Sequence, residues 1–253
     1  MGPIAVTGGT GMLGQHLVPV LVGHGAEVRV LSRGRHAAPA GAQSVTGDVL
    51  DAPSLDAAFD GADVVIHAAS SAMRKARLTE VEGTRNVVSA AARAGAYLVY
   101  VSIVGVDRHR FPYYRAKWAA EQVVERSPAD WAIQRATQFH DLIDRFLSGP
   151  LFPATRRMRF QPVDATEFSE RLWELAESRA TGRRPDFGGP EVLGIRDLRR
   201  ERSRVVGRSA LLVPVPPVGF LRDFDRGLHL AETSRAGQVT WSGWLKAGVD
   251  VSS

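Results

Sequence analysis

The chain has 253 residues, enough for one large α/β domain or a nucleotide-binding domain with a smaller appendage. It contains no cysteine, which removes disulfides, thiolate nucleophiles and Cys-ligated metals from consideration. The net charge of +5 comes almost wholly from arginine, since Lys75, Lys117 and Lys246 are the only lysines, and that balance suits an anionic ligand.

In chain order, the first half alternates short β-branched runs with helical patterns, the mark of βαβ units on a parallel sheet. Strands are predicted near 3–7, 27–32, 43–46, 63–67, 97–102 and 130–135, with helices near 12–23, 53–59, 78–94 and 113–126. Asp51, Pro53 and Ser54 give the second helix its start signal, and Gly25, Gly61 and Gly95 stand where helices hand over to strands. After about residue 136 the rhythm changes. FHDLIDRFL and ATEFSERLWELAES read as helices, the proline-rich run 210–221 as loop and strand covering a pocket, and Trp173, Trp241 and Trp244 as core of this second part.

Several function classes fall away on the same reading. The densest basic stretch, RDLRRERSRVVGR (196–208), lacks interleaved aromatics and carries Asp197 and Glu201, while Leu198, Val205 and Val206 suggest a helix with one buried side; no nucleic-acid partner is expected. The seven histidines show no metal-ligand spacing, so no metal site is expected either. Met1 leads straight into PIAVT without a charged leader, and no segment nears ~18 uninterrupted apolar residues. The expectation is a cytoplasmic protein with no membrane partner; a homodimer is compatible with the sequence and not specified by it.

VTGGTGMLGQHL follows the first strand and opens the first helix. Gly9, Gly11 and Gly14 make GxGxxG, and Gly8, Gly11 and Gly14 make TGxxGxxG after Thr7, with Met12 and Leu13 between the last two glycines. Glycine is required there for a tight turn, for close approach of backbone to a pyrophosphate, and for close packing of helix on strand; the helix N-terminus adds free N–H groups and partial positive charge. Set in a βαβ chain, this turn points to a dinucleotide. The second strand ends in VLSRGR, with Ser32, Arg33 and Arg35 where an NAD-preferring site usually has an acid, and a guanidinium can pair with a 2′-phosphate, so NADP is expected. Asp48, followed by Val49, is placed to accept from an adenine amino group, and Ala68, Ala69 and Ser70 let the chain pass close beneath the cofactor. The fold class is therefore α/β, a Rossmann doubly wound parallel sheet, with residues 1–135 as the NAD(P)-binding domain and 136–253 as a small, mostly helical substrate cap on its carboxyl edge.

TGGTGMLG, LSR, GDVLD, HAAS, VEGTRNVVSAAARAG, YVSIVG, YYRAKWAAE and WAIQRATQFHD occur in this order over roughly residues 3–141. In this the chain resembles the short-chain dehydrogenase/reductase superfamily, in particular its extended and atypical members of NmrA-like NAD(P)H-binding type. The resemblance implies a Ser, Tyr, Lys catalytic set, which falls on Ser102, Tyr113 and Lys117, and Lys117 would also touch the cofactor's ribose. Where such families often complete a proton relay with asparagine, alignment on Gly83 puts Glu80. Ten residues separate Ser102 from Tyr113, which gives the loop IVGVDRHRFP weight. The chemistry is sound: residues i and i+4 share a helix face, so Tyr113 and Lys117 can address one edge. A phenol with pKa of about 10 carries the proton needed to reduce a carbonyl at neutral pH; lowering it by ~3 units takes ~4 kcal/mol. An ammonium at ~4 Å supplies about that much in an effective dielectric of ~20. Gln138, Phe139 and His140 follow the sixth strand, where a small-molecule substrate is expected. The expected activity is NADP-dependent reduction of a carbonyl or related small molecule. The alternatives are an epimerase or dehydratase with tightly held cofactor, and a redox-sensing regulatory protein that binds NADP(H).

Overall fold

A computed structural model describes residues 1–34, 37–71, 77–231 and 233–250, with backbone alone at 249 and 250. The chain divides into two compact units. The first takes Met1–Ser102, Arg115–Gln134 and Ser169–Arg184, and the second Ile103–Tyr114, Arg135–Phe168 and Pro185–Ser253.

The first unit is built on a sheet. Strands β1 (Ile4–Thr7), β2 (Val28–Ser32), β3 (Gln43–Thr46), β4 (Val64–His67), β5 (Tyr97–Ile103), β6 (Trp131–Ala136) and the later β9 (Gly182–Arg183) lie in the order β3-β2-β1-β4-β5-β6-β9. β1 pairs in parallel with both β2 and β4, and Thr7 stands level with Leu31 and His67. Strands β1 and β4 are buried at every position, which is why they read as unbroken apolar runs and not as alternations. The strand order reverses between β1 and β4, and the carboxyl ends of a doubly wound sheet open into a crevice at that reversal. The sequence reading missed β9, because two residues with no apolar character carry no strand signal.

Helices α1 (Gly14–Gly23), α2 (Ala52–Phe59), α3 (Thr84–Ala94) and α4 (Pro112–Val124) make the crossovers. The turns behind α1, α2 and α3 use left-handed glycines, with φ of 79° at Gly25, 64° at Gly61 and 66° at Gly95. Where one continuous helix is predicted over 78–94, the structure has a π-helical turn, Leu78–Gly83, feeding α3. Such a turn carries a surplus residue and re-aims side chains; here it buries Glu80 and Gly83. A Cβ at Gly83 would lie 2.9 Å from Val49 Cγ2, so glycine lets the turn sit against Val49 without displacing it.

The second unit contains α5 (His140–Ser148), β7 (Leu151–Ala154), β8 (Arg159–Phe160), β10 (Leu193–Gly194), α7 (Ile195–Val206), β11 (Leu211–Pro214), α8 (Leu221–Asp225) and α9 (Trp241–Asp250); α6 (Ala165–Ser178) begins in it and continues in the first unit. It is largely helical, with two two-stranded ribbons, β8–β10 and β7–β11. Its core gathers Ile143, Leu147, Met158, Phe160, Ile195, Leu198, Trp241 and Leu245. Trp241 and Trp244 stack at 5.6 Å, whereas Trp173 belongs to the first unit, where it stacks on His24 at 4.6 Å. The run 210–221 contains β11 and a loop, with Leu211 and Val218 open to solvent.

The basic stretch forms α7 and spends several of its arginines internally. Arg200 pairs with Asp197 and Arg204 with Glu201 one turn away. Arg202 is buried and donates to Asp144, to Ser148 and to the carbonyl of Arg208. Leu198 faces the core as expected, while Val206 at the helix end is exposed.

Four buried histidines give this fold a defined acid limit. Burial, helped by Lys117, lowers His67 to about 3, and burial above all lowers His109, His140 and His229 to about 4, against an ordinary value of 6.5. The unfolded chain therefore takes up protons first, so stability is full above about pH 6.5 and is lost as the pH falls from there towards 4. Thermal unfolding across pH 4–8 should show this plateau and fall. His140 lies against both Trp241 and Trp244, at 5.8 and 5.5 Å, and neither ring nitrogen has a partner among the described residues, so His140→Phe should flatten the acid limb without lowering stability at pH 8. A Cβ at Gly14 would meet Gly9 C at 2.3 Å, so Gly14→Ala should lower the unfolding temperature, by an amount equivalent to about 1–3 kcal/mol.

Candidate active site

The turn between β1 and α1 is shaped by what a side chain would strike. Gly8 has φ of 76°, and a Cβ there would lie 2.6 Å from Ala69 N and 2.7 Å from the Ala68 carbonyl carbon. Gly9 lies against Val30, and Gly14 against Gly9. At Gly11 a Cβ would meet just Gly8 O, at 3.1 Å, and the residue is exposed. The glycine turn is thus packed on its protein side and bare at Gly11, beside the start of α1 at Met12, Leu13 and Gly14. That is the cradle a pyrophosphate needs: open backbone at a helix N-terminus with no Cβ in the way.

The backbone after β4 comes against the glycine turn, which is why position 8 takes no side chain, with Ala68 N donating to Thr7 O at 3.1 Å. Thr7 Oγ1 is committed to the protein, 2.6 Å from His67 Nδ1 and accepting from Ala69 N at 3.3 Å. His67 is fully buried, with Thr84 Oγ1 3.0 Å from its other nitrogen. Held between two threonines as a neutral ring, it ties β1, β4 and α3 together. The signal for it in the sequence is one polar residue in the apolar run VVIH.

At the end of β2, Ser32 is buried and its hydroxyl accepts from Gly34 N at 3.3 Å, while Arg33 is exposed. Arg35 lies outside the described residues. Asp48 uses Oδ1 to accept from Leu50 N at 3.0 Å, and Val49 is a packing residue against Gly83 whose carbonyl accepts from Asn86 at 3.0 Å.

The proposed catalytic residues lie on β5 and α4. Ser102, at the end of β5, is buried, and its Oγ has no hydrogen-bond partner among the described residues. A serine serving the backbone would show a bond there. Lys117 is buried on α4, its Nζ donating to Val101 O at 3.0 Å and standing 4.7 Å from the centre of the Tyr100 ring. Its charge partner is Glu80 of the π turn, with Oε2 at 3.2 Å and both side chains nearly inaccessible. Glu80 Oε1 in turn accepts from Ser70 Oγ at 2.7 Å and Ser71 N at 2.9 Å. The carboxylate therefore joins the loop after β4 to the lysine of α4. The sequence shows a glutamate at that position and does not show whom it meets.

Tyr113 lies in the first turn of α4, half-buried, with Phe111 and Tyr114 rings at 6.3 and 6.2 Å. The loop before it is rigidly specified within the second unit. Gly105 has φ of 82°, and a Cβ there would fall 1.9 Å from Leu228 O. Arg110 binds Asp223 through both its backbone N–H and its guanidinium, at 2.9 and 2.7 Å, which holds that buried carboxyl below the usual carboxylate range. Tyr114 is buried and hydrogen-bonded to Gln138, and burial pushes its phenol up, so it is fixed as a neutral structural tyrosine. Gln138 also donates to His229 O at 3.3 Å, Phe139 packs on Phe168 at 5.5 Å, and His140 lies against both Trp241 and Trp244.

Among the described residues, no group of histidines and carboxylates is arranged to hold a metal ion, and no helix is long and apolar enough to cross a membrane.

Comparison with known proteins agrees with this geometry. Residues 8–144, just over half of the chain, match the NAD(P)H-binding family. Over 242 residues the chain is 29% identical to ceramide reductase of Caulobacter vibrioides, covering 87% of this chain and 75% of that protein. It is 33% identical over 131 residues to mouse 3 beta-hydroxysteroid dehydrogenase type 7, there covering 44% of this chain and 36% of the other. Among solved structures, the dTDP-glucose 4,6-dehydratase DesIV of Streptomyces venezuelae has a TM-score of 0.79 at 20% identity, covering 98% of this chain and 96% of that one. The NADPH-dependent quinone oxidoreductase QOR2 of Escherichia coli has a TM-score of 0.78 at 15% identity, covering 97% and 99%. The glycine cradle, the parallel sheet and the family match together identify the chain as a member of the NAD(P)H-binding family, of short-chain dehydrogenase/reductase type.

Proposed function

We propose that this protein is an NADP-dependent reductase of a carbonyl or related small molecule. The observation that carries the reading is Ser102: a buried hydroxyl at the carboxyl end of β5 with no partner of its own, next in sequence to the Val101 carbonyl that anchors Lys117. Bound NADPH would supply the hydride. The chain's residues do the rest. The turn at Gly8, Gly11 and Gly14 receives the pyrophosphate on bare backbone and on the start of α1. Arg33, exposed at the end of β2, pairs with the 2′-phosphate. Ser102 donates to the substrate oxygen and fixes its position, and Tyr113 gives that oxygen its proton. Lys117 holds the ribose, one turn along α4 from Tyr113.

The ceramide reductase and the hydroxysteroid dehydrogenase act, by their names, on large apolar molecules. An apolar carbonyl compound is therefore the first substrate class to screen.

Tyr113→Phe should abolish turnover, followed as loss of NADPH absorbance, and leave NADPH affinity within about twofold. Full activity in that variant would end the assignment. Product formation without net loss of NADPH would favour an epimerase or dehydratase, and tight binding with no turnover across carbonyls and quinones would favour a sensor. Cofactor choice has its own test: Arg33→Glu should weaken NADPH binding roughly 10- to 100-fold, the scale of a lost charge-assisted contact, and leave NADH binding unchanged or improved. Equal effects on both cofactors would remove Arg33 from the 2′-phosphate.

A further inference from the structure

We propose that Glu80 positions and charge-balances Lys117, and that through this pair the protein sets its relative affinity for the oxidised and reduced dinucleotide. The inference rests on the cofactor half of the reading above and is independent of the role given to Tyr113.

Lys117 and Glu80 are 3 and 1% exposed. An ammonium buried alone would carry its whole charge in a poorly screened setting, which costs several kcal/mol unless it is paired. Glu80 supplies the pair from the π turn, at 3.2 Å. Val101 O fixes the ammonium on one side at 3.0 Å and the Tyr100 ring lies against it at 4.7 Å. On the carboxylate, Oε1 is held by Ser70 and Ser71, so Oε2 remains turned to the lysine. The pair is therefore locked from both ends, and every group in it lies in the first unit.

The oxidised and reduced dinucleotides carry the same phosphates and differ by one positive charge on the nicotinamide. A lone Lys117 at the ribose would repel the oxidised ring and favour the reduced cofactor. Glu80 cancels most of that bias. His67, also buried in this region, is kept neutral by its burial and by Lys117, and so adds no second positive charge. A glutamate that merely braced the fold would affect both cofactor states alike. A glutamate that balances Lys117 must affect them differently.

The test is the pair of dissociation constants for NADP⁺ and NADPH, read by quenching of intrinsic tryptophan fluorescence on the full chain. Glu80→Gln should raise the ratio Kd(NADP⁺)/Kd(NADPH) roughly tenfold, the scale of one unit charge in a partly desolvated site. Glu80→Asp keeps the charge and should leave the ratio within about twofold, whatever happens to both constants together. Lys117→Gln leaves Glu80 uncompensated and should move the ratio the other way. An unmoved ratio in folded Glu80→Gln overturns the proposal. If Glu80→Gln does not fold, an unmoved ratio in Lys117→Gln overturns it instead. Failure of the parent chain to bind either form would sink the cofactor reading and this inference with it. By contrast, a Tyr113→Phe variant that keeps its activity would sink the catalytic assignment alone and leave these ratios standing.

Discussion

The site region depends on one close approach of backbone to backbone, between the glycine turn after β1 and the residues that follow β4. Gly8 reaches Ala68 and Ala69 so closely that a single methyl group would overlap them. That contact brings the start of α1 over the point where the strand order reverses, and it leaves Gly11 bare. The same demand for space explains Gly9 against Val30 and Gly14 against Gly9. Each is a position where volume, not hydrophobicity, chose the residue.

Around that contact the protein has placed polar groups that satisfy one another, with Thr7, His67, Thr84, Glu80 and Lys117 buried and Ser70 and Ser71 at the edge. Thr7, His67 and Thr84 form one such chain, and Lys117, Glu80, Ser70 and Ser71 another. A buried ion pair contributes little to stability against an apolar pair of the same volume, and breaking one partner costs far more than the pair is worth. Its presence at the carboxyl edge of the sheet is better understood as placement of charge than as reinforcement of the fold. Ser102 differs from these groups: its buried hydroxyl has no hydrogen-bond partner among the described residues.

Arginine plays two parts in this chain. In α7 and in the loop before α4 it is structural: Arg202 is buried against Asp144 and Ser148, and Arg110 grips Asp223. The planar guanidinium can satisfy several acceptors at once, as Arg202 does with Asp144, Ser148 and the Arg208 carbonyl. Arg33, by contrast, stands exposed beyond the end of β2. The net positive charge of the chain is therefore only partly available to an anion.

Much of the first unit was legible in the residues. Unbroken Val and Ile runs fell on β1 and β4 because both faces of those strands are covered, and the glycines at helix ends marked themselves by the left-handed turns they make. Periodicity and turn chemistry act over a few residues, and so survive in the sequence alone. The glycine cradle, the placement of Ser102 at a strand end and the i, i+4 spacing of Tyr113 and Lys117 are of this kind. What tertiary structure alone decided was partnership between distant residues. It paired Glu80 with Lys117 across 37 positions through a π turn no helical pattern announces, seated Trp173 on His24 and not in the second unit, made Tyr114 a fixed phenol on Gln138, and buried His140 against two tryptophans. The reason is physical: a polar group's role in a protein interior is set by the one or two groups that replace its water, and those come from wherever the fold brings them.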